Sequence, residues 1–403
     1  MHWLIVEDSL ESRRGHWFEY LEGFCLELPK LGDQVTLLVT HRAEAFIRER
    51  LDAKPTLPES AFSKMSDGAS AWKRYARIPI HAWKTFVAIR RDLKGKSAPD
   101  VIFVPTVIVH HLLGWTVLVK LKILPQRSRL LLFFPNLPIR KTNSLITIDG
   151  SPSSRLMLIL LHALGSQISS GRVILGAETH EMKRAGEEAF GVPFTYFPHP
   201  VRSGSSASTT PTAAVPPSLI MACYGQARHE KGSDLLVKAI ESYLERRPES
   251  LTHFTLQWME DFIGDDGQIN RLSEFLQKNF HMDIVNRFFE IGEYAKRLAY
   301  THVLLLPYRC SSYGLRISRV AIEGMVNGIP IVATNGTTLA SQASEFGAAV
   351  LCEENDKESL IAAIELAEHD YGALAVKARQ RQSSARSHFS VEHFRNILLS
   401  ICE

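Results

Sequence analysis

Residues 2–40 read HWLIVEDSLESRRGHWFEYLEGFCLELPKLGDQVTLLVT. The apolar, β-rich run His2–Glu7 predicts a strand, and the polar stretch Asp8–Arg14 predicts a loop. From Gly15 the pattern turns helical: Trp17, Phe18, Leu21, Phe24, Cys25 and Leu28 fall on one face, and the helix is expected to end near Pro29. A second apolar run, Val35–Thr40, follows. Strand, glycine loop, helix and strand in that order make a βαβ unit of a parallel sheet, so the fold class is α/β.

The rhythm continues outward. Strands are expected at Val101–Val104, Leu130–Phe134 and Arg172–Ala177, and in the second half at Leu219–Tyr224, Phe254–Trp258, Phe288–Ile291, Val303–Leu306, Ile331–Ala333 and Ala348–Leu351. Leu235, Leu236, Ala239, Ile240, Tyr243 and Leu244 form a helical stripe between them. Residues 201–217, VRSGSSASTTPTAAVPP, have too few large apolar groups for a core and read as a linker. The expectation is two Rossmann-like, doubly wound domains, 1–200 and 218–384, facing a central cleft, with ligands at the carboxyl ends of the strands.

A chain of 403 residues with 45% apolar and 22% charged side chains is long enough for two buried cores and too apolar to be disordered. Its longest uncharged run, Val101–Val119, contains Pro105, His110, His111 and Gly114 and suits a strand and helix better than a membrane span. MHWLIVEDS has no basic leader segment, and five cysteines without a CxxC pair argue against a disulfide framework or structural zinc. A soluble, cytoplasmic protein is expected. Residues 51–150 hold 16 basic and 6 acidic side chains, a surplus suited to anionic headgroups or phosphorylated ligands, or simply to a solvated face. Within it, HAWKTFVAIRRDLKGK places Trp83, Phe86, Val87 and Leu93 among Lys84, Arg90, Arg91, Lys94 and Lys96. That pattern fits a helix lying on an anionic membrane or one packed on the sheet. No nucleic-acid module is present.

Three stretches could carry chemistry. Gly15 would let backbone approach a ligand at a helix start, with His16 beside it as a candidate catalytic, capping or surface residue. Gly225–Gly232, GQARHEKG, lies between a strand and a helix and offers Arg228 and Lys231 to an anion; a solvated loop is the alternative. Glu323 sits among Val320, Ala321, Ile322, Met325 and Val326, where a carboxylate needs donors: ligand hydroxyls, or Arg316 or Arg319. There is no D-x-D, HExxH or sequence cluster of metal ligands, so no metal is expected.

These motifs resemble the GT-B nucleotide-sugar glycosyltransferases, specifically glycosyltransferase family 4. GQARHEKG stands where the family shows G-R-x-x-x-E-K-G, and Glu323-Gly324-Met-Val-Asn-Gly328-Ile-Pro330 matches E-A-x-x-x-G-x-P before the strand and loop IVATNGT. IGEYAKRLAYTHVLLLPY looks like the family's helix and buried strand between them, and SHFSVEHFRNILLSI resembles its terminal helix, here 385–403, which crosses back to the first domain.

The resemblance implies a GT-B fold and a donor diphosphate bound by Lys231 and, because Gln226 replaces the usual arginine, by Arg228, with backbone at Gly15 helping. It implies that Glu323 holds the donor ribose as the second glutamate of E-x7-E, while Leu315 stands at the first. The local pattern YGLRISRVAIEG resembles a subgroup in which Arg316 and Ser318 contact the donor sugar or phosphate. It further implies metal-independent, retaining transfer by front-face displacement, with no cofactor and no protein nucleophile. The acceptor would be a saccharide or lipid-linked molecule, and His16 or His110 would compensate for the family's histidine after the strand ending Phe133-Phe134-Pro135-Asn136. Rival expectations are a GT-B epimerase or phosphorylase, or a non-catalytic nucleotide-sugar-binding scaffold, which the loss of an acid at Leu315 favours.

Overall fold

A computed structural model describes residues 1–13, 17–62, 71–142, 145–201, 216, 218–290 and 292–402. The chain divides into two units, Met1–Pro200 with Val391–Glu403, and Val201–Ser390.

The first unit is built on β1 (His2–Val6), β2 (Gln34–Thr40), β3 (Ala53–Leu57), β4 (Val101–Val104) and β5 (Arg129–Phe134). A hairpin, β6 (Ile139–Thr142) and β7 (Leu145–Ile148), precedes β8 (Val173–Ala177) and β9 (Thr195–Tyr196). Seven strands form one sheet in the order β3-β2-β1-β4-β5-β8-β9, with every neighbouring pair parallel. Trp3, Ile5, Phe103, Phe133 and Phe197 point to one face and are fully buried, as the near-continuous apolar runs of a sheet covered on both sides require. Phe24 of the helix Trp17–Glu27 and Phe394 of the helix Val391–Cys402 complete that core, their rings 5.0 Å apart. The helix Ala71–Leu93 buries Ile78, Ala82, Phe86 and Ile89 and exposes Ile80 and Trp83.

The last helix is held by one carboxylate. Asp33, with a side chain 1% exposed, accepts from Arg395 Nε at 2.7 Å and Nη2 at 3.0 Å. It also accepts from the Met1 amino group at 2.7 Å and from Trp3 Nε1 at 2.9 Å.

The second unit contains β10 (Ile220–Cys223), β11 (His253–Gln257), the hairpin β12 (Phe262–Ile263) and β13 (Ile269–Asn270), β14 (Met282–Val285), β15 (Val303–Leu306), β16 (Ile331–Thr334) and β17 (Ala349–Cys352). Its six-stranded sheet runs β14-β11-β10-β15-β16-β17, again entirely parallel. Leu236, Ile240 and Tyr243 of the helix Ser233–Arg246 pack on Phe254, Val303, Leu305 and Val332.

Two expectations need correction. The strand placed at Phe288–Ile291 is β14, at Met282–Val285; Phe288 is exposed, while Asp283 marks β14 as an edge strand whose polarity conceals it. The break expected at 384/385 falls inside the helix Tyr371–His388, and the returning helix starts at Val391. Most of the 201–217 stretch lies outside the described residues. Among the described residues, no helix is long and apolar enough to cross a membrane.

Candidate functional site

In each sheet the chain winds one way from a central strand and then returns to build the other side. The reversal lies between β1 and β4 in the first unit and between β10 and β15 in the second. Loops leaving two such strands diverge, which opens a crevice at their carboxyl ends.

In the second unit, β10 ends at Cys223, and the loop from Gly225 leads through the short turn His229–Lys231 into the helix Ser233–Arg246. Gly232 has φ +62°, and a Cβ there would lie 2.0 Å from the carbonyl oxygen of Pro307, just beyond β15. Only glycine permits that approach, which draws the turn onto the exit of the neighbouring strand. Gly225 has φ +86°, and a Cβ on it would stand 2.5 Å from Lys231 Nζ, so its bareness leaves room for the amine. Lys231 Nζ lies 5.8 Å from the centre of the Tyr308 ring and, among the described residues, has no carboxylate within ion-pair distance. Burial holds its ammonium below the usual lysine range. Cys223 nearby stays a thiol, pushed up to about 11 by burial.

Arg228 is more exposed and already engaged: Nη2 donates to Gln226 Oε1 at 3.0 Å, and Nη1 lies 3.5 Å from Glu230 Oε1. Gln226 also donates to Glu260. The residue standing in place of an arginine thus orients the neighbouring one. Asp265 and Asp266 occupy the turn of the β12–β13 hairpin, and Asp265 reaches back to His229 Nε2 at 2.9 Å.

Glu323 lies in the helix Arg319–Val326 and finds donors within the protein. Arg319 Nε donates to Oε1 at 2.8 Å and the Tyr294 hydroxyl to Oε2 at 2.5 Å. Of the two arginines offered by the sequence, the partner is Arg319. Ser318 caps this helix, its Oγ accepting from Ala321 N at 3.3 Å. The guanidinium of Arg316 sits 5.5 Å from the Tyr313 ring centre. The expected contributions of Gly15 and His16 lie outside the described residues.

The first unit holds a cluster that sequence reasoning missed. Glu7 and Asp8 follow β1 directly, and both are buried. Asp8 Oδ2 accepts from His81 Nε2 at 2.8 Å, His111 Nε2 at 2.9 Å and the Ala61 amide at 3.0 Å, while its Oδ1 has no partner among the described residues. Burial alone would raise the pKa of Asp8; the imidazoles, His111 before His81, hold it below the usual carboxylate range. These three side chains could encircle a metal ion, their ligand atoms lying within 4.8 Å of one another. However, His111 Nδ1 accepts from the Ile108 amide at 3.2 Å, so Nε2 carries the proton and gives it to Asp8. A metal on Nε2 would force a proton onto Nδ1, against that amide. The arrangement suits hydrogen bonding rather than a metal. His110, the sequence candidate, is held at about 4 by burial and by the neighbouring histidines, with Nδ1 unpartnered.

Further along the same edge, Glu178 follows β8 and accepts from His199 Nδ1 at 3.0 Å, leaving His199 Nε2 unpartnered among the described residues. Tyr20 stacks on that imidazole at 4.6 Å. Paired acids after an apolar strand, in LIVEDS, were the available signal for the first group; the separations of 73 and 103 residues hid its histidines.

The family model described as "Glycosyl transferases group 1" matches residues 211–387. No curated protein sequence matches the chain significantly. Among solved structures, the chain is similar to a sucrose-phosphate synthase from Thermosynechococcus elongatus, at 14% identity and TM-score 0.62, covering 100% of this chain and 97% of that one. It is similar to a trehalose-6-phosphate structure from E. coli bound with UDP-2-fluoro glucose, at 13% identity and TM-score 0.64, covering 99% and 98%. A third, HepE from Anabaena in complex with UDP and glucose, has 12% identity and TM-score 0.61, covering 100% and 98%. The chain therefore shares the GT-B fold of these structures, and residues 211–387, within its second unit, match the group 1 glycosyl transferase model.

Proposed function

We propose that this protein transfers a sugar, with retention of configuration and without a metal ion, from a nucleotide-sugar donor to a saccharide or lipid-linked acceptor. The observation that carries the reading is Lys231: a half-buried ammonium with, among the described residues, no carboxylate partner, placed where two strand exits diverge. Burying a charge unpaired is costly, and a diphosphate would supply the missing partner. Arg228, freed from Glu230, would add a second cation, and together they would neutralise the leaving group as the sugar departs. Glu323, held rigid by Arg319 and Tyr294, retains lone pairs for the ribose hydroxyls. Arg316 and Ser318 stand nearby in sequence as the proposed sugar and phosphate contacts.

A melting screen with UDP, GDP, ADP and their glucose conjugates tests the site. At least one nucleotide is expected to stabilise the protein, by ~2.7 kcal/mol at 100 times its dissociation constant. Glu323→Ala should weaken that response about tenfold in affinity, while turnover of the same donor persists in EDTA. An unchanged response in Glu323→Ala removes the ribose assignment. Binding without turnover on any acceptor supports the scaffold reading that Leu315 invites.

The outer face of the helix Ala71–Leu93 suits an acceptor carried on lipid. Trp83 is 64% exposed and Ile80 55%, with Lys84, Arg90 and Arg91 also exposed. The aromatic and basic groups match a headgroup layer containing anionic lipid. Flotation with phosphatidylserine vesicles should recover the protein, and Trp83→Ser with Ile80→Ser should halve recovery or better. Equal recovery on neutral and anionic vesicles would remove this part of the proposal.

A further inference from the structure

The groups left unpartnered beside β1 are mostly hydrogen-bond acceptors. Glu7 gives Oε1 to the Ser9 amide at 2.8 Å and the Ser9 hydroxyl at 2.6 Å, and keeps Oε2 buried and, among the described residues, bare. Among the described residues, Asp8 Oδ1 and His81 Nδ1 are likewise buried and bare, as is the Thr106 hydroxyl, which lies beside the Glu7 carboxylate. Glu7, Asp8, Thr85, Thr106 and His111 line a recess at the point where β1 and β4 diverge, with apolar walls from Val6, Leu57 and Trp115. Its free room, about 10 Å³, admits one water-sized group. A site rich in bare acceptors calls for a donor, and one this small calls for a single hydroxyl rather than a hydrated ion.

We propose that Glu7 is a substrate-binding catalytic residue whose Oε2 accepts the hydrogen bond of the acceptor's reacting hydroxyl, and that His81 and His111 are positioning residues that act through Asp8. This rests on the transferase reading above. Clamped by three N–H donors, Asp8 fixes the backbone bend that presents Glu7. Its charge, after burial, raises the Glu7 carboxyl to about 7, and Ser9 and Thr106 oppose the rise. From the surrounding elements, His111 and Tyr20 also feel Glu7, and Tyr20 feels Glu178 as well. Ionised Glu7 is the stronger acceptor, so acceptor use should fall on the acid side of neutrality.

The test compares nucleoside diphosphate release from UDP-, GDP- and ADP-glucose, with and without a panel of mono- and disaccharides, in the parent, Glu7→Gln, Glu7→Asp and Asp8→Asn. Glu7→Gln is expected to keep the nucleotide-induced melting shift but to lose saccharide-stimulated release at least 30-fold. Glu7→Asp should regain part of that loss at a raised acceptor KM. Asp8→Asn should move the acid limb of the pH profile to lower pH, because the charge that lifts Glu7 is gone. Saccharide-stimulated release within threefold of the parent in Glu7→Gln, or loss of its nucleotide-induced melting shift, would overturn the inference and leave the transferase reading standing. A parent that releases no nucleotide from any donor would overturn both.

Discussion

Lys231→Met is expected to melt at a higher temperature than the parent and to turn over its donor about 100-fold more slowly. Both halves follow from one fact: the ammonium is half-buried and desolvated without a carboxylate partner among the described residues. Methionine keeps the side-chain length and removes the charge, so the desolvation cost disappears and stability should rise by about 1 kcal/mol. Function moves the other way, since a charge-assisted contact to phosphate contributes ~1.5–3 kcal/mol, a factor of roughly 10 to 150. The depressed pKa gives an independent check. Between the folded value and the ordinary lysine value, the unfolded chain holds more protons, so parent stability should rise with pH there, and the Met variant should lose that slope. A variant that is less stable and fully active would refute the assignment.

Asp33→Asn should cost about 3–5 kcal/mol in urea unfolding at pH 7, the range for removing one partner of a buried charge network. Asparagine leaves the Arg395 guanidinium and the Met1 ammonium without their carboxylate. Burial raises the Asp33 pKa, but the bonds from Arg395, the amino terminus and Trp3 outweigh it and bring the group to about 2. A depressed carboxylate pKa contributes stability above its unfolded value. That contribution should be complete above about pH 4, fall away as the pH drops toward 2, and be absent from the Asn variant's pH curve. A loss below 1 kcal/mol would show that the returning helix is held by its apolar face and the Arg129 bond to the Ile401 carbonyl rather than by Asp33.

Local order was legible in the sequence wherever apolar periodicity and glycine acted together. LIMACY followed by GQARHEKG located β10, its loop and the helix Ser233–Arg246 because each signal is local. β3 escaped because AKPTL contains Pro55 and lies at a sheet edge, where apolar content is not demanded. FFEI misled because an apolar run need not be a strand: Phe288 is 56% exposed, while Phe289 packs on Tyr224 and Tyr294. In the candidate site, Lys231 could be named from its loop, whereas the partner of Glu323 was left between two arginines. The Asp8–His81–His111 group was invisible, since it is assembled by the sheet order and no periodicity links its members.

The helix Val391–Cys402 places Phe394 among Phe24, Phe103, Phe133 and Phe197, so the first unit is finished by a segment synthesised about 190 residues after its last strand. Until then, a nascent chain carries an uncovered aromatic surface while the second unit is still emerging. A fragment ending near residue 200 should consequently be prone to aggregation, and supplying 391–403 as a separate peptide should rescue it. The order of translation and the order of assembly are thereby opposed in this protein.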